Sequence, residues 1–370
     1  MLSLRKALGI FAITLAGILA IALITQPAEK DFISYWSAGK LLLQHADPYS
    51  YDGVLAMEKS QGYTEARPLI MRNPPWAMFL CAPLGLTTPL IALLLWIGTS
   101  IGCIFAFIRL QQISVKDAIL AFLFAPALAS LCSGQSSPFL LLGFSLFLYL
   151  HTRQPYFAGC SLLLLAIKPH LFPLFWIILL LHCITERNWR NGIRLLTGFV
   201  TALLAATGFA MLFDHQIWPQ YIAMLHNAAL QNEFLPTLSE LLRIAVEIRA
   251  GWLIFVPTLI ALPWALYYYI RHRSHWDWAT HGMTLMMVSI LTSPYGWFSD
   301  QIVLLPVMAY GLTKAAGNPR HKSVSTAIMV GLNSIVLFLV LVIHPALTSI
   351  AYAWVPVAWF WWFSYSVAVP

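Results

Sequence analysis

Apolar residues come in runs of roughly one to two dozen positions along almost the whole chain, separated by short polar breaks. Read as membrane-crossing helices, the runs fall at 8–24, 88–108, 117–131, 138–150, 156–167, 171–184, 193–213, 251–270, 279–292, 301–313, 323–343 and 346–366. The pattern predicts an all-α polytopic transmembrane helical bundle of about 12 spans, each crossing needing about 20 residues. The four runs between 117 and 184 are short for a straight crossing, so their ends are expected to be recessed around a cavity. Two longer polar intervals, 25–75 and 214–250, read as external segments contributing to one domain over 1–370. Short interfacial helices are expected in the first loop: an amphipathic one at 34–44, ended by Asp47-Pro48-Tyr49, and a re-entrant or interfacial one at 76–86.

Composition supports the membrane reading. Residues are 60% hydrophobic and only 9% charged, against roughly 25% charged in soluble domains. The net charge of +7 does not point to nucleic acid. Alternating the spans places Arg109, Lys116, Arg153, Arg187, Arg190, Arg194, Arg271, Arg273, Lys314, Arg320 and Lys322 on one side, as the positive-inside rule expects. Arg5 and Lys6 precede the first run, which reads as a retained helix with a cytoplasmic N-terminus. The five cysteines have no C-x-x-C spacing and read as small buried hydrophobes.

The same topology gathers the unusual polar breaks on the outer side. Asp31 follows the first span among Tyr35, Trp36, Tyr49 and Tyr51. A carboxylate there is a candidate general base, or a helix cap. Aromatic faces suit sugar rings and membrane interfaces alike. Lys168 and His170 form a Lys-Pro-His break, and Arg72 precedes Asn73-Pro74-Pro75; either cation could hold a phosphate or snorkel to the interface. Gln135 lies in a Ser-Gly-Gln-Ser-Ser gap and either bonds substrate or solvates a turn. Asp300 follows Ser293-Pro294-Tyr295 and either orients Asp31 or a sugar hydroxyl, or caps the next helix. No HExxH, P-loop, GxSxG or metal-holding DxD pair occurs, and the eleven histidines are scattered, so no metal site is expected.

Taken in order, Asp31-Phe32 with Tyr35-Trp36 and Ala38-Gly39, Asp47-Pro48-Tyr49, Asn73-Pro74-Pro75, Gly134-Gln135, Gly159 leading to Lys168-Pro169, and Ser293-Pro294-Tyr295 with Asp300 resemble glycosyltransferase family 87. The resemblance implies a GT-C fold with an extracytoplasmic active site. It implies a polyprenyl-phosphate sugar as donor, typically mannose, and inversion at the anomeric carbon. The family's first-loop base carries over onto Asp31. Donor and acceptor contacts are expected from Tyr35, Trp36, Arg72, Asn73, Gln135, Lys168, His170, Tyr295 and Asp300. The branch acting on mannosyl-phosphoinositides has a His-rich segment after its Ser-Pro; here Trp297-Phe298-Ser299-Asp300 has no histidine.

The expectation is a hexosyltransferase of the bacterial inner membrane, serving an extracytoplasmic lipid or glycan acceptor. Its partners would be the lipid bilayer, the donor and the acceptor. It would need no cofactor or metal beyond the polyprenyl-phosphate sugar itself. A transporter or lipid flippase also fits intramembrane Lys and Asp beside Pro-broken helices. A non-catalytic subunit of an envelope complex is the third reading.

Overall fold

The computed structural model describes residues 31–185, 189–227, 234–340 and 349–368. The expected first span at 8–24 lies outside them. Helices joined by turns and loops make up the described residues, and no strand occurs among them.

Four helices are long and apolar enough to cross a membrane: Pro89–Leu110, Trp189–Phe213, Gly251–His275 and Pro319–Phe338. Their outward faces stay apolar, with Leu212 81% and Ile260 72% exposed. A water-facing surface would not leave such contiguous apolar area bare. Five other apolar helices, Pro75–Gly85, Ser137–Leu150, Pro155–Leu165, Pro173–Thr185 and His281–Leu291, are shorter. At 1.5 Å per residue they reach about 16–21 Å, well under a hydrocarbon core of about 30 Å. Helix length therefore supports four crossings directly.

Proline accounts for two departures from the expected spans. The run at 117–131 is two helices, Val115–Phe122 and Ala125–Ser133, with Pro126 in the first turn of the second. Phe124 is extended at ψ 121° because a proline cannot continue the preceding hydrogen-bond ladder. The run at 301–313 opens as a 3₁₀ segment, Phe298–Leu304, and becomes α-helical at Leu305–Ala315, where Pro306 opens the new helix.

The expected amphipathic surface helix at 34–44 is instead a core helix, Phe32–Leu43. Phe32, Ile33, Tyr35, Trp36, Ala38, Leu41 and Leu42 occupy all of its faces, and all are buried. No polar face remains to lie on water, so neighbouring helices surround it. Its closest partner is Met78–Gly85, the segment expected to be re-entrant or interfacial. A Cβ on Gly39 would stand 2.0 Å from the Cys81 carbonyl oxygen, so the two backbones touch. The same device joins Pro155–Leu165 to Trp189–Phe213, where a Cβ on Gly159 would stand 1.9 Å from Leu195 O.

The external segment 214–250 contributes Ile217–Asn227 and Leu238–Val246. Thr237 caps the latter by accepting from Glu240 N–H. Glu240 and Arg243 form a buried pair, with Nε to Oε2 at 2.9 Å and Nη2 to Oε1 at 2.5 Å.

Candidate active site

Three chain breaks come together beside the start of Phe32–Leu43. Asp31 occupies the N-cap position of that helix, without a capping bond from its side chain. The Ser133–Ser137 turn depends on Gly134, which is left-handed at φ 69° and packs where a Cβ would stand 2.5 Å from Phe32 Cβ. Trp96 Nε1–H donates to Gly134 O at 2.8 Å and anchors the turn. The Lys-Pro-His break is a single 3₁₀ turn, Pro169–Leu171, between two apolar helices.

These breaks connect through one buried hydrogen-bond chain. Gln135 Nε2 donates to Asp31 Oδ2 at 2.7 Å. Lys168 Nζ donates to Gln135 Oε1 at 2.9 Å and to Asp300 Oδ1 at 2.6 Å. Ser137 Oγ donates to the same Asp300 oxygen at 2.5 Å, and Trp297 N–H to Oδ2 at 2.9 Å. Tyr35 OH lies 3.1 Å from Gln135 Oε1 and 3.2 Å from Ser136 Oγ. With its carbonyl oxygen taken by Lys168 and Tyr35, the Gln135 amide has one orientation. It can only offer a donor to Asp31.

A cavity of about 180 Å³ opens on this chain. It is lined by Asp31, Ser34, Tyr35, Pro68, Leu69, Ile70, Met71, Arg72, Asn73, Gln135, Lys168, His170, Tyr295 and Trp297. Eight of the ten residues singled out from sequence thus share one cavity. Asp300 stands behind Lys168, pairs with it, and also receives the N–H at the start of its own 3₁₀ helix. Trp36 does not line the cavity; its Nε1–H donates to Thr87 O at 3.0 Å. Tyr49 sits behind the wall, its OH donating to Asn73 O at 2.9 Å. Asp47 accepts from Tyr49 N–H at 2.8 Å and shapes the loop.

Several wall elements carried no sequence signal. The 68–71 stretch is held by Glu58, whose two carboxylate oxygens both lie 3.1 Å from Leu69 N. Burial pushes that carboxyl up to about 7. Ser34 and Trp297 also had no distinguishing pattern, although Trp297 lies two residues after the Ser-Pro-Tyr motif.

The electrostatics divide the cavity into distinct parts. Burial raises the Asp31 pKa above its ordinary 3.8, opposed by the Gln135 hydrogen bond and by the Lys168 charge. Burial works against both charges of the Lys168–Asp300 pair, yet their attraction prevails, so Lys168 is raised and Asp300 lowered. Burial lowers His170 to about 4, leaving it neutral at pH 7. His170 Nε2 is buried with no hydrogen-bond partner among the described residues, an arrangement that proteins rarely tolerate without a ligand or water to fill it. Arg72 Nη1 donates to Tyr295 OH at 3.1 Å, and the Tyr295 ring meets His170 edge to face at 5.0 Å.

A second cavity, about 380 Å³, adjoins the first through Arg72, His170 and Tyr295. Its other walls include Tyr221, Leu225, Leu235, Ile254 and Phe255, with the buried Glu240–Arg243 pair at one side. Together the two make a polar chamber with a fixed carboxylate, opening past a cation into an apolar one. That arrangement suits a substrate with a polar head, an anionic link and an apolar tail.

Comparison with curated proteins and with solved structures finds no match. Residues 72–294, well over half of the chain, match the model for glycosyltransferase family 87. The matched span contains Arg72, Asn73, Gln135, Lys168 and His170, with Asp31 before it and Tyr295 and Asp300 after it. The chain therefore belongs to glycosyltransferase family 87 and is a membrane glycosyltransferase.

Proposed function

We propose that the chain moves a hexose, mannose in the first instance, from a polyprenyl-phosphate sugar to a lipid or glycan acceptor, with Asp31 as general base. The observation that carries this reading is Asp31 held by a one-way Gln135 amide in a chamber that also contains Arg72. The sugar would occupy the polar cavity and the first isoprene units the apolar one. The phosphate would lie where Arg72 and His170 border both. Lys168, matched by Asp300, contributes by fixing Gln135 and by its residual field rather than as an isolated cation.

In the reaction the acceptor O–H gives its proton to Asp31 as its oxygen bonds to the anomeric carbon. The bond from that carbon to the phosphate oxygen breaks on the opposite face, so configuration inverts. The polyprenyl phosphate leaves with an added negative charge, which the Arg72 guanidinium stabilises. A raised carboxylate pKa makes Asp31 a better proton acceptor. The orphan His170 Nε2 would bond a sugar hydroxyl or phosphate oxygen.

This reading keeps a GT-C bundle of about 12 crossings, in which short helices end around the recessed chamber. It places the chamber on the extracytoplasmic side of a bacterial inner membrane, with neither metal nor cofactor required. The test is transfer by the purified chain in nanodiscs, with labelled hexose supplied on a polyprenyl monophosphate or on a nucleotide. Transfer from the lipid donor with inversion is expected. Transfer from the nucleotide donor alone overturns the reading, and lipid flux without transfer would return the transporter.

Acid sensitivity follows from Asp31. The base acts only when ionised, so kcat/KM falls as pH drops through its raised pKa. Gln135→Leu removes a bond that favours the carboxylate. The acid limb should therefore move to higher pH, as read from the pH–rate profile of wild type and variant side by side. An unmoved limb would separate Gln135 from the base.

A further inference from the structure

Three of the histidines that look scattered in sequence converge in space. His272 ends the Val256–His272 helix, His275 ends the 3₁₀ turn Arg273–His275, and His281 begins the His281–Leu291 helix. One ring nitrogen from each lies within 4.8 Å of the others. Their ring centroids are 5.6 Å (272–275), 4.9 Å (272–281) and 5.5 Å (275–281) apart. Zinc–nitrogen bonds of about 2.0–2.1 Å in a tetrahedral array put imidazole centroids about 5.2 Å apart. The rings already stand at that spacing.

The second ring nitrogen of His272 faces a carbonyl that suits ligation, and those of His275 and His281 have a hydroxyl within reach. His272 Nδ1 lies 2.8 Å from Tyr268 O, which fixes the proton there and leaves Nε2 with its lone pair. His275 Nδ1 lies 3.1 Å from Ser274 Oγ. Asp277 N–H donates to His281 Nδ1 at 3.2 Å and Thr280 Oγ1 lies 3.2 Å from the same nitrogen, so ligation through Nε2 requires the His281 proton to move to Nδ1. A His281 ring protonated at Nδ1 has the Thr280 oxygen as acceptor, at the expense of the long Asp277 bond.

From this geometry we infer a three-imidazole site for a divalent transition metal of the zinc class, with an open fourth position. Imidazole nitrogens without a carboxylate suit zinc, copper or nickel rather than magnesium or calcium. His275 and Asp277 also line a polar cavity of about 690 Å³, from which water or another ligand reaches the fourth position. The Pro173–Thr185 helix begins beside His170, and its His182 ring meets Trp276 and Trp278 near its far end. The metal site is therefore at the opposite end of this helix from the sugar chamber. There it would tie the end of one helix to the start of the next across the 272–281 corner, independently of sugar transfer.

The test uses tag-free full-length protein in nanodiscs, stripped with chelator and titrated with zinc chloride alone. One zinc per chain is expected, with cobalt giving the intense visible bands of tetrahedral coordination. His272→Ala and His281→Ala should each weaken zinc binding at least ~10²-fold, since even outer-sphere partners are worth ~10–100-fold. His182→Gln, at the same end but outside the triad, should bind as wild type does. Zinc should also raise the melting temperature of wild type and not of the His272→Ala/His281→Ala double variant. No retained zinc in wild type, or equal affinity in a double variant that melts cooperatively, would overturn the site and leave an aromatic–imidazole packing cluster.

Discussion

Asp31→Asn should lower the kcat for sugar transfer by about 10²–10⁴, the usual worth of a positioned general base. The substitution is nearly isosteric. Gln135 Nε2, now 2.7 Å from Asp31 Oδ2, still finds a carbonyl oxygen on asparagine, so the Gln135–Lys168–Asp300 chain has no reason to rearrange. What disappears is the ability to take a proton, and with it a charge beside Lys168. Donor KM should change little, because the base acts on the acceptor oxygen. The measurement is single-turnover transfer from a labelled polyprenyl-phosphate hexose, with membrane insertion and melting checked alongside. A loss of less than about tenfold would remove the base from Asp31 and leave it a helix-start residue.

The second large effect is on stability. Lys168 and Asp300 are 6% and 2% exposed, and their 2.6 Å contact pairs two charges well away from water. Replacing one member of such a pair typically costs ~3–5 kcal/mol, because the other charge is left buried and uncompensated. Lys168→Met should therefore melt early in detergent, and Lys168→Met/Asp300→Leu should recover much of the loss.

The pH dependence gives a sharper readout. In wild type the Asp300 pKa is held below its ordinary 3.8. Its stabilisation is present above 3.8 and lost as pH falls through the folded-state value. Without Lys168, burial dominates and the folded-state pKa rises above the unfolded one. The variant's penalty is then largest at neutral pH and shrinks as acid protonates Asp300. The gap between wild type and Lys168→Met should narrow on acidification; a gap independent of pH would mean that Lys168 acts through packing alone.

The class of molecule was legible in the chain because it depends on composition and run length, which are local properties. So were the breaks at 134–137, 168–170 and 293–300, since a polar group amid apolar runs is costly unless something offsets it. The family resemblance rested on those breaks, and Asp31 stood out on the same grounds. Faces and partners were less legible. Tyr35 and Trp36 look equivalent in sequence. A helix turns about 100° per residue, so one faces Gln135 and the other Thr87 O. Phe32–Leu43 read as a surface helix because a short segment in an external loop has no full span to join. Met78–Gly85, backbone against backbone at Gly39, and Trp96 of Pro89–Leu110, packed on Phe32 and Tyr35, bury it.

The sequence by itself determined that this is a helical membrane protein whose apolar runs are interrupted by a set of unusual polar breaks. Hydrophobicity and charge bias act residue by residue and need no contacts to be read. The tertiary structure alone decided that Lys168 spends its charge on Asp300, 132 positions away, and that Glu58 holds the 68–71 wall. It also decided that His272, His275 and His281 meet. Each depends on where separate helices end relative to one another. That is set by close packing at glycines and by proline-ended helices across the whole bundle, which no local pattern encodes.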